Sequence, residues 1–295
     1  MATEADSGAN DGHASTDIPR YQCVRCTGPF AAVPKSSLGH PPGPSGYRLE
    51  KIEPGVTADQ VTHVIYSQSH FDHIGAADIY PQGAVRIARQ CTADKLAEYR
   101  DHKRSMPTIT FSDEYVLELG ATRLELRYHG NIRQPGNIFI YEPRQKVLML
   151  VDIIFPGWVP FRNLAVANDV HEYLHAHDLP LDYDFDVIVC GNLTRYGTRA
   201  DFVTQREFVQ QLRATSIKAL KSVRIEDVAA WTGTENLWAL MDGYLEDAIE
   251  TVTNEMLTTP TSDGRLWTER LGGADVWTRH HAFSMIQALR IEKPD

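Results

Sequence analysis

The sequence predicts a mixed α/β (α+β) body followed by a carboxyl-terminal helical layer, and three observations carry that reading. Between Val61 and Gly191, short apolar runs alternate with turn residues, as strands do in a layered sheet protein. Beyond residue 200 the apolar period lengthens to that of helices. Finally, 295 residues at 42% hydrophobic and 23% charged are enough to bury a full core without covalent staples.

Taken in order, residues 1–18 are small, polar and acidic without periodicity, which predicts a disordered tail ahead of a body at 19–295. Residues 33–47 hold four prolines and three glycines and read as a loop wrapped over that body. VTHVIYS at 61–67 reads as a buried strand, and TADKLAEYRDH at 92–102 as a helix. Four short strands follow between 116 and 152 (VLELG, TRLELRY, IFIYE, KVLMLVD), then a polar helix at 170–178 and a strand at 187–191. Phe208, Val209, Leu212, Ile217 and Leu220, then Leu237, Met241, Tyr244, Ala248 and Val252, recur at helical spacing. Residues from about 203 to 295 therefore read as a helical extension that roofs the cleft.

A formal charge of −10, from 29 Lys plus Arg against 39 Asp plus Glu, argues against nucleic acid or an anionic membrane as partner. No apolar run reaches the length of a membrane span, and the amino terminus does not read as a signal peptide, so the expected location is cytoplasmic. The expected partner is a small molecule. The oligomeric state stays open, a homodimer included. Cys23 and Cys26 form a lone CxxC, and Cys91 and Cys190 stand apart, so neither a zinc knuckle nor a disulfide framework is expected.

Chemistry concentrates in the loop after the first strand, Ser67-Gln68-Ser69-His70-Phe71-Asp72-His73-Ile74-Gly75. Two imidazoles and a carboxylate packed into four residues suit zinc, iron or manganese, and equally suit a hydrogen-bonded polar turn.

With QSHFDH at 68–73, Arg133-Gln134-Pro135-Gly136-Asn137, LMLVDIIF around Asp152 and Cys190-Gly191-Asn192-Leu193-Thr194-Arg195, the chain resembles the metallo-β-lactamase-fold superfamily from about Tyr47 to its end. That resemblance implies an αββα sandwich. It also implies seven metal-ligand positions, of which His70, Asp72, His73 and Asp152 stand while Gln68, Arg133 and Asn192 replace histidines. In the family the positions of 68, 70 and 133 hold one ion, those of 72, 73 and 192 the other, and that of 152 bridges them.

Arginine cannot ligate, since a guanidinium carries donors only. At about 4 Å from a divalent ion it would be repelled by ~8 kcal/mol at an effective dielectric of 20. Without metal, Asp72 and Asp152 need a positive neighbour, and a fork-shaped arginine supplies one. The reading is thus a site that exchanged metal charge for arginine charge. No cofactor and no dinuclear zinc centre are expected. The alternative is one zinc, iron or manganese ion on Asp72, His73 and Asp152.

The catalytic candidates are His70, Asp72, His73, Arg133 and Asp152, with Gln68, Asn192, Trp158 and Arg195 as substrate-binding candidates. The expected activity is hydrolysis or cyclisation of a lactone or ester, elimination or isomerisation, on a small oxygenated molecule in specialised metabolism or detoxification. A non-catalytic protein that binds a small anion through Arg133 is the contrasting reading. Trp158 and Phe161 read equally as a lid over the cleft or as core, and Trp231, Trp238, Trp267 and Trp277 as core or pocket wall. His171, His175 and His177 are expected on a solvated helix face, and at least one of His280 and His281 at the surface.

Overall fold

The computed structural model describes residues 61–192 and 195–292. The tail at 1–18, the proline-rich loop at 33–47 and the Cys23–Cys26 pair lie outside the described residues.

Two sheets stack face to face. The smaller is parallel, in the order β1 (His63–Ile65), β2 (Val85–Arg89), β3 (Ile109–Phe111). The larger runs β4 (Glu114–Leu119), β5 (Thr122–Tyr128), β6 (Ile138–Glu142), β7 (Val147–Met149), β8 (Val187–Val189), antiparallel except for the parallel β7–β8 pair. Strand alternation assigns the faces. Ile138 and Ile140 of β6 meet Ile87, Phe111, Leu117 and Leu126 between the sheets, while Phe139 points the other way into the helical core. Ile87 of β2 faces the same inter-sheet layer, and its neighbour Ala88 faces Leu96 of α2 (Gln90–Tyr99). The layers are therefore α, β, β, α.

The outer helical layer is built from α5 (Arg199–Ser222), α6 (Ile225–Thr232), α7 (Leu237–Thr258), α8 (Trp267–Arg270) and α9 (Ala274–Gln287). Phe202, Phe208, Val209 and Leu212 of α5 and Ala282, Met285 and Ile286 of α9 share one core with Leu148 and Ile188 of the sheet. A capping box starts α5: the Thr198 side chain accepts from the Asp201 amide, and the Asp201 carboxylate accepts from the Thr198 amide.

Strands β2 and β3 were not expected from the sequence. The helix read at 92–102 runs instead over Gln90–Tyr99, ending where Arg100 turns left-handed at φ 52°, and that read at 170–178 is α4 (Val170–His175). The aromatic expectations divide: Trp267 is fully buried, whereas Trp231 and Trp238 are exposed, at 64% and 85%.

Topology decides where the site can form. The parallel strands β7 and β8 end at the same edge, so Asp152 and Asn192 emerge side by side. Strand β6 begins at that edge because it runs antiparallel to β7, which brings the 133–137 loop there. The Ile138 amide then donates to the Ser67 carbonyl at 3.1 Å and joins the loop after β1 to the other three.

The histidines of the helical side are not arranged as expected. His175 is exposed, but His177 is buried, its Nδ1 at 2.9 Å from the Tyr173 carbonyl and its Nε2 at 2.9 Å from Gln205 Nε2. Gln205 in turn bonds the backbone at Ile153 and Phe155, so this pair fixes the segment that follows Asp152. His281 is also buried and its Nδ1 accepts from the Leu164 amide at 3.0 Å, while His280 is half-buried.

Burial pushes His177 down to about 4, outweighing the Tyr173 carbonyl and Asp178, with Arg206 adding to the depression. Burial likewise pushes His281 down to about 3. Because the unfolded chain takes up these protons first, stability is full above pH 6.5 and falls as the pH drops towards 4. The loss for His177 is about 3 kcal/mol. Urea unfolding between pH 7 and pH 4.5 is expected to show that slope, and His177→Asn to start less stable at pH 7 but to vary less with pH.

Candidate functional site

Each site residue stands where a strand stops. Asp152 follows β7 and takes a left-handed backbone, φ 65°, which turns its carboxylate back under the loops. Aspartate is among the few side chains that tolerate this conformation. Gln68 lies on the loop after β1, His73 on the short α1 (Phe71–Ile74), Arg133 before β6 and Asn192 after β8. Gly191, at φ +89°, lets His73 approach: a Cβ there would lie 3.3 Å from the imidazole Cε1.

All four surround Asp152. Gln68 Nε2 donates to Oδ2 at 2.7 Å, and Asn192 Nδ2 to Oδ1 at 2.7 Å. His73 Nε2 lies 2.9 Å from Oδ2, and Arg133 Nη1 lies 3.5 Å from it. Burial pushes the Asp152 carboxyl up, but the hydrogen bond and charge of His73, the Arg133 guanidinium and the Gln68 amide more than offset this and hold it below the usual carboxylate range. Gln68 is itself oriented, because Gln134 Nε2 donates to its Oε1 at 2.8 Å.

Arg133 is clamped from behind. Its Nε donates to the Ala165 carbonyl at 3.0 Å, and its own carbonyl accepts from the Asn168 amide at 2.8 Å. Ala165 belongs to α3 (Arg162–Val166), where Asn163, Leu164, Ala165 and Val166 are all left-handed, with φ between 53° and 57°. Arg133 Nη1 also lies 2.5 Å from His70 Nδ1. Burial and the Arg133 charge both lower the His70 pKa, against the raising effect of Asp72 and Asp152.

Beside these groups opens a cleft of about 420 Å³. Asp72, Arg133, Asp152 and Asn192 form its polar floor, and Phe155, Trp158, Phe161 and Trp277 its aromatic wall. Asp72 is largely exposed, its carboxylate 3.4 Å from His73 Nε2.

The sequence candidates therefore separate. His70, Asp72, His73, Arg133, Asp152, Gln68 and Asn192 come together, and Trp158 stands at the cleft wall. Gln68, fully buried, reaches Asp152 rather than the cavity. Arg195 is not brought in: its guanidinium grips the Asp201 carboxylate at 2.5 and 2.9 Å, beside the cap of α5, and it does not line the cleft. Gln134 was not singled out, although it sits in the 133–137 motif. Nor was the left-handed α3, whose NLAV contains no glycine to announce a positive φ.

Among the described residues, no three His, Cys, Asp or Glu side chains form a group placed to hold a metal ion. The donor set explains this. Asp152 offers its lone pairs to an imidazole and two amides, with a guanidinium beside them. The residues present do not fit a dinuclear centre.

No protein-family model matches the chain. Over 166 residues it is 27% identical to the 2,4-dinitroanisole O-demethylase subunit alpha of Nocardioides sp. (strain JS1661), a match covering 54% of this chain and 48% of that protein. The chain thus spans about half the length of that relative. Among solved structures it is similar to the stereoselective inverting sec-alkylsulfatase Pisa1 from Pseudomonas sp., with a TM-score of 0.51 and 14% identity over 77% of this chain and 41% of that one. A metallo-β-lactamase from Pontibacter korlensis matches with a TM-score of 0.43 and 21% identity, covering 51% of this chain and 69% of that one. The fold is that of the metallo-β-lactamases.

Replacing Gln134 with Leu leaves the buried Gln68 Oε1 without its donor. Chemical denaturation is expected to show a loss of about 1–3 kcal/mol. An unchanged midpoint would mean that Gln68 is oriented by something else.

Proposed function

We propose that this metallo-β-lactamase-fold chain is an enzyme that cleaves a carbon–oxygen bond in a small organic molecule, an ester, lactone or ether, without a dinuclear zinc centre. The observation that carries this reading is the saturation of Asp152 by donors, with Arg133 supplying positive charge at the cleft floor. The similarity to a protein named an O-demethylase supports chemistry at a carbon–oxygen bond. The net charge of −10 supports a small-molecule partner rather than nucleic acid or an anionic membrane.

The groups divide the work. Asp72, exposed to the cleft and backed by His73, accepts a proton from water. The resulting hydroxide adds to the electrophilic carbon. Negative charge gathers on the substrate oxygen, where Arg133 and Asn192 face it with N–H donors. The carbon–oxygen bond then breaks and the leaving oxygen recovers the proton from Asp72. Gln68 and Asp152 take no part in proton transfer and hold His73, Asn192 and Arg133 in place.

A second reading rests on one observation: the Asp72 and Asp152 carboxylates both approach His73 Nε2, at 3.4 and 2.9 Å. A mononuclear site there would need these three side chains to turn towards one ion, since as they stand they form no group placed to hold one.

Elemental analysis of chain purified without chelator or affinity metal separates the two, with expected loading below about a tenth of an equivalent of any transition metal. Loading near one equivalent would overturn the arginine reading and favour the mononuclear one. In parallel, esters, lactones and aryl ethers would be screened with and without EDTA. Turnover is expected to survive the chelator and to fall about 10²–10³-fold in Arg133→Met, as when an oxyanion donor is removed. The triple variant Gln68→His, Arg133→His, Asn192→His is expected to take up about two equivalents of zinc. Failure to bind any would show that these positions do not correspond to the family's ligands.

A further inference from the structure

We infer that the cleft selects a planar aromatic substrate, its ring held by Trp158, Phe161 and Trp277 and its oxygen substituent turned to Arg133. This rests on the proposed carbon–oxygen cleavage for the identity of the site and adds the class of molecule that enters it.

Two segments far apart in sequence build the aromatic wall. Phe161 and Trp277 stand edge to face, with centroids 5.5 Å apart and planes at 63°. Trp158 comes from the loop after Asp152, and Trp277 from the first turn of α9. Both indoles flank Gly273: a Cβ there would lie 3.2 Å from Trp277 Cδ1 and 3.6 Å from Trp158 Cε3, and φ is +74°. The segments are laced together, since the Gly272 amide donates to the Gly157 carbonyl at 2.8 Å and the Val159 amide to the Gly272 carbonyl at 3.1 Å. The wall is thus held in place before any ligand arrives, which lowers the ordering cost of binding.

Ring geometry favours a ring as guest. An edge-to-face pair presents one π face and one positive edge, and a third ring can meet both at favourable angles. A saturated ring of similar size fills the volume without that electrostatic match. Phe161 is 53% exposed and Trp277 half-buried, so both keep surface free for a ligand at the cleft. At about 420 Å³, the cavity suits a molecule of one or two rings.

The polar end fixes the orientation. Arg133 uses Nε on Ala165 and Nη1 towards His70 and Asp152, while Nη2 makes no hydrogen bond among the described residues. Arg133 lines the cleft, so an ether or phenolate oxygen on the ring would find its guanidinium there. Asp72, on the same floor, repels a second anionic group and so limits the charge a ligand can carry there.

The test uses the full chain in EDTA and reads binding without turnover, by tryptophan fluorescence and saturation-transfer NMR. The probes are anisole, its saturated counterpart cyclohexyl methyl ether, and 4-nitrophenolate. Anisole is expected to bind about three- to tenfold more tightly than cyclohexyl methyl ether. Trp277→Leu and the more exposed Phe161→Leu are each expected to erase that preference, with folding checked by circular dichroism. Trp238→Leu, remote from the cleft, keeps it. Arg133→Met is expected to weaken 4-nitrophenolate more than anisole.

Equal affinity for the two ethers, or a preference that survives in both wall variants, overturns the aromatic assignment. Equal weakening of phenolate and anisole by Arg133→Met overturns the orientation. Selective binding of anisole by a chain that cleaves no carbon–oxygen bond overturns the proposed function and leaves this inference standing. Cleavage of alkyl and aryl substrates alike does the reverse.

Discussion

A single buried carboxylate organises this end of the molecule. An ionised carboxylate out of water is costly unless its charge and lone pairs are met. Asp152 is met by Gln68, His73 and Asn192, with Arg133 at 3.5 Å, and these four come from three further chain segments, Gln68 and His73 sharing the one after β1. The requirement to satisfy one charge therefore draws four loops to one sheet edge. Even the strained φ of 65° at Asp152 follows, because an extended backbone would direct the side chain elsewhere.

Arg133 makes the arrangement electrostatically tolerable, and its own support comes at a cost. Four consecutive non-glycine residues in the left-handed region cost of order 1–2 kcal/mol each. The turn at Asn163–Val166 is held by hydrogen bonds from outside and within: the Leu164 amide donates to His281, and Ala165 donates through its amide to Phe161 and accepts through its carbonyl from Arg133. The same turn places Ala165 and Val166 at the cleft. Strain is thus concentrated where the cation and the apolar wall meet, and the buried neutral His281 is part of what holds it.

Local patterns carried the strands of the larger sheet and the motif loops, because alternation and turn residues are written in consecutive letters. The small sheet was harder: VRIAR carries two arginines, and Arg86 is buried only because it donates to a set of loop carbonyls that no local pattern reveals. The helical extension read over 203–295 took in Trp231, Trp238 and Trp277 but did not say which face each would present. His177 illustrates the same limit, since its burial depends on Gln205, a residue on another helix. At Arg195 the Thr198-x-x-Asp201 capping pattern was legible, and a carboxylate at the start of α5 was a nearer partner for the arginine than a substrate.

In the proposed function, with arginine charge in place of a dinuclear metal centre, the set of reactions the cleft can drive is different. A zinc ion lowers the pKa of its bound water by about nine units, so that hydroxide is available at neutral pH. A guanidinium has no orbital to offer and acts only on the oxygen that gains charge. The burden of activating water then falls on Asp72, a weak base, and the burden of reactivity on the substrate. Bonds whose departing oxygen spreads its charge need the least help, and an aryl oxygen does this through its ring. On the proposed function, the aromatic wall and the arginine beside it then have one chemical reason: the leaving charge is stabilised by the substrate's own π system rather than by a metal.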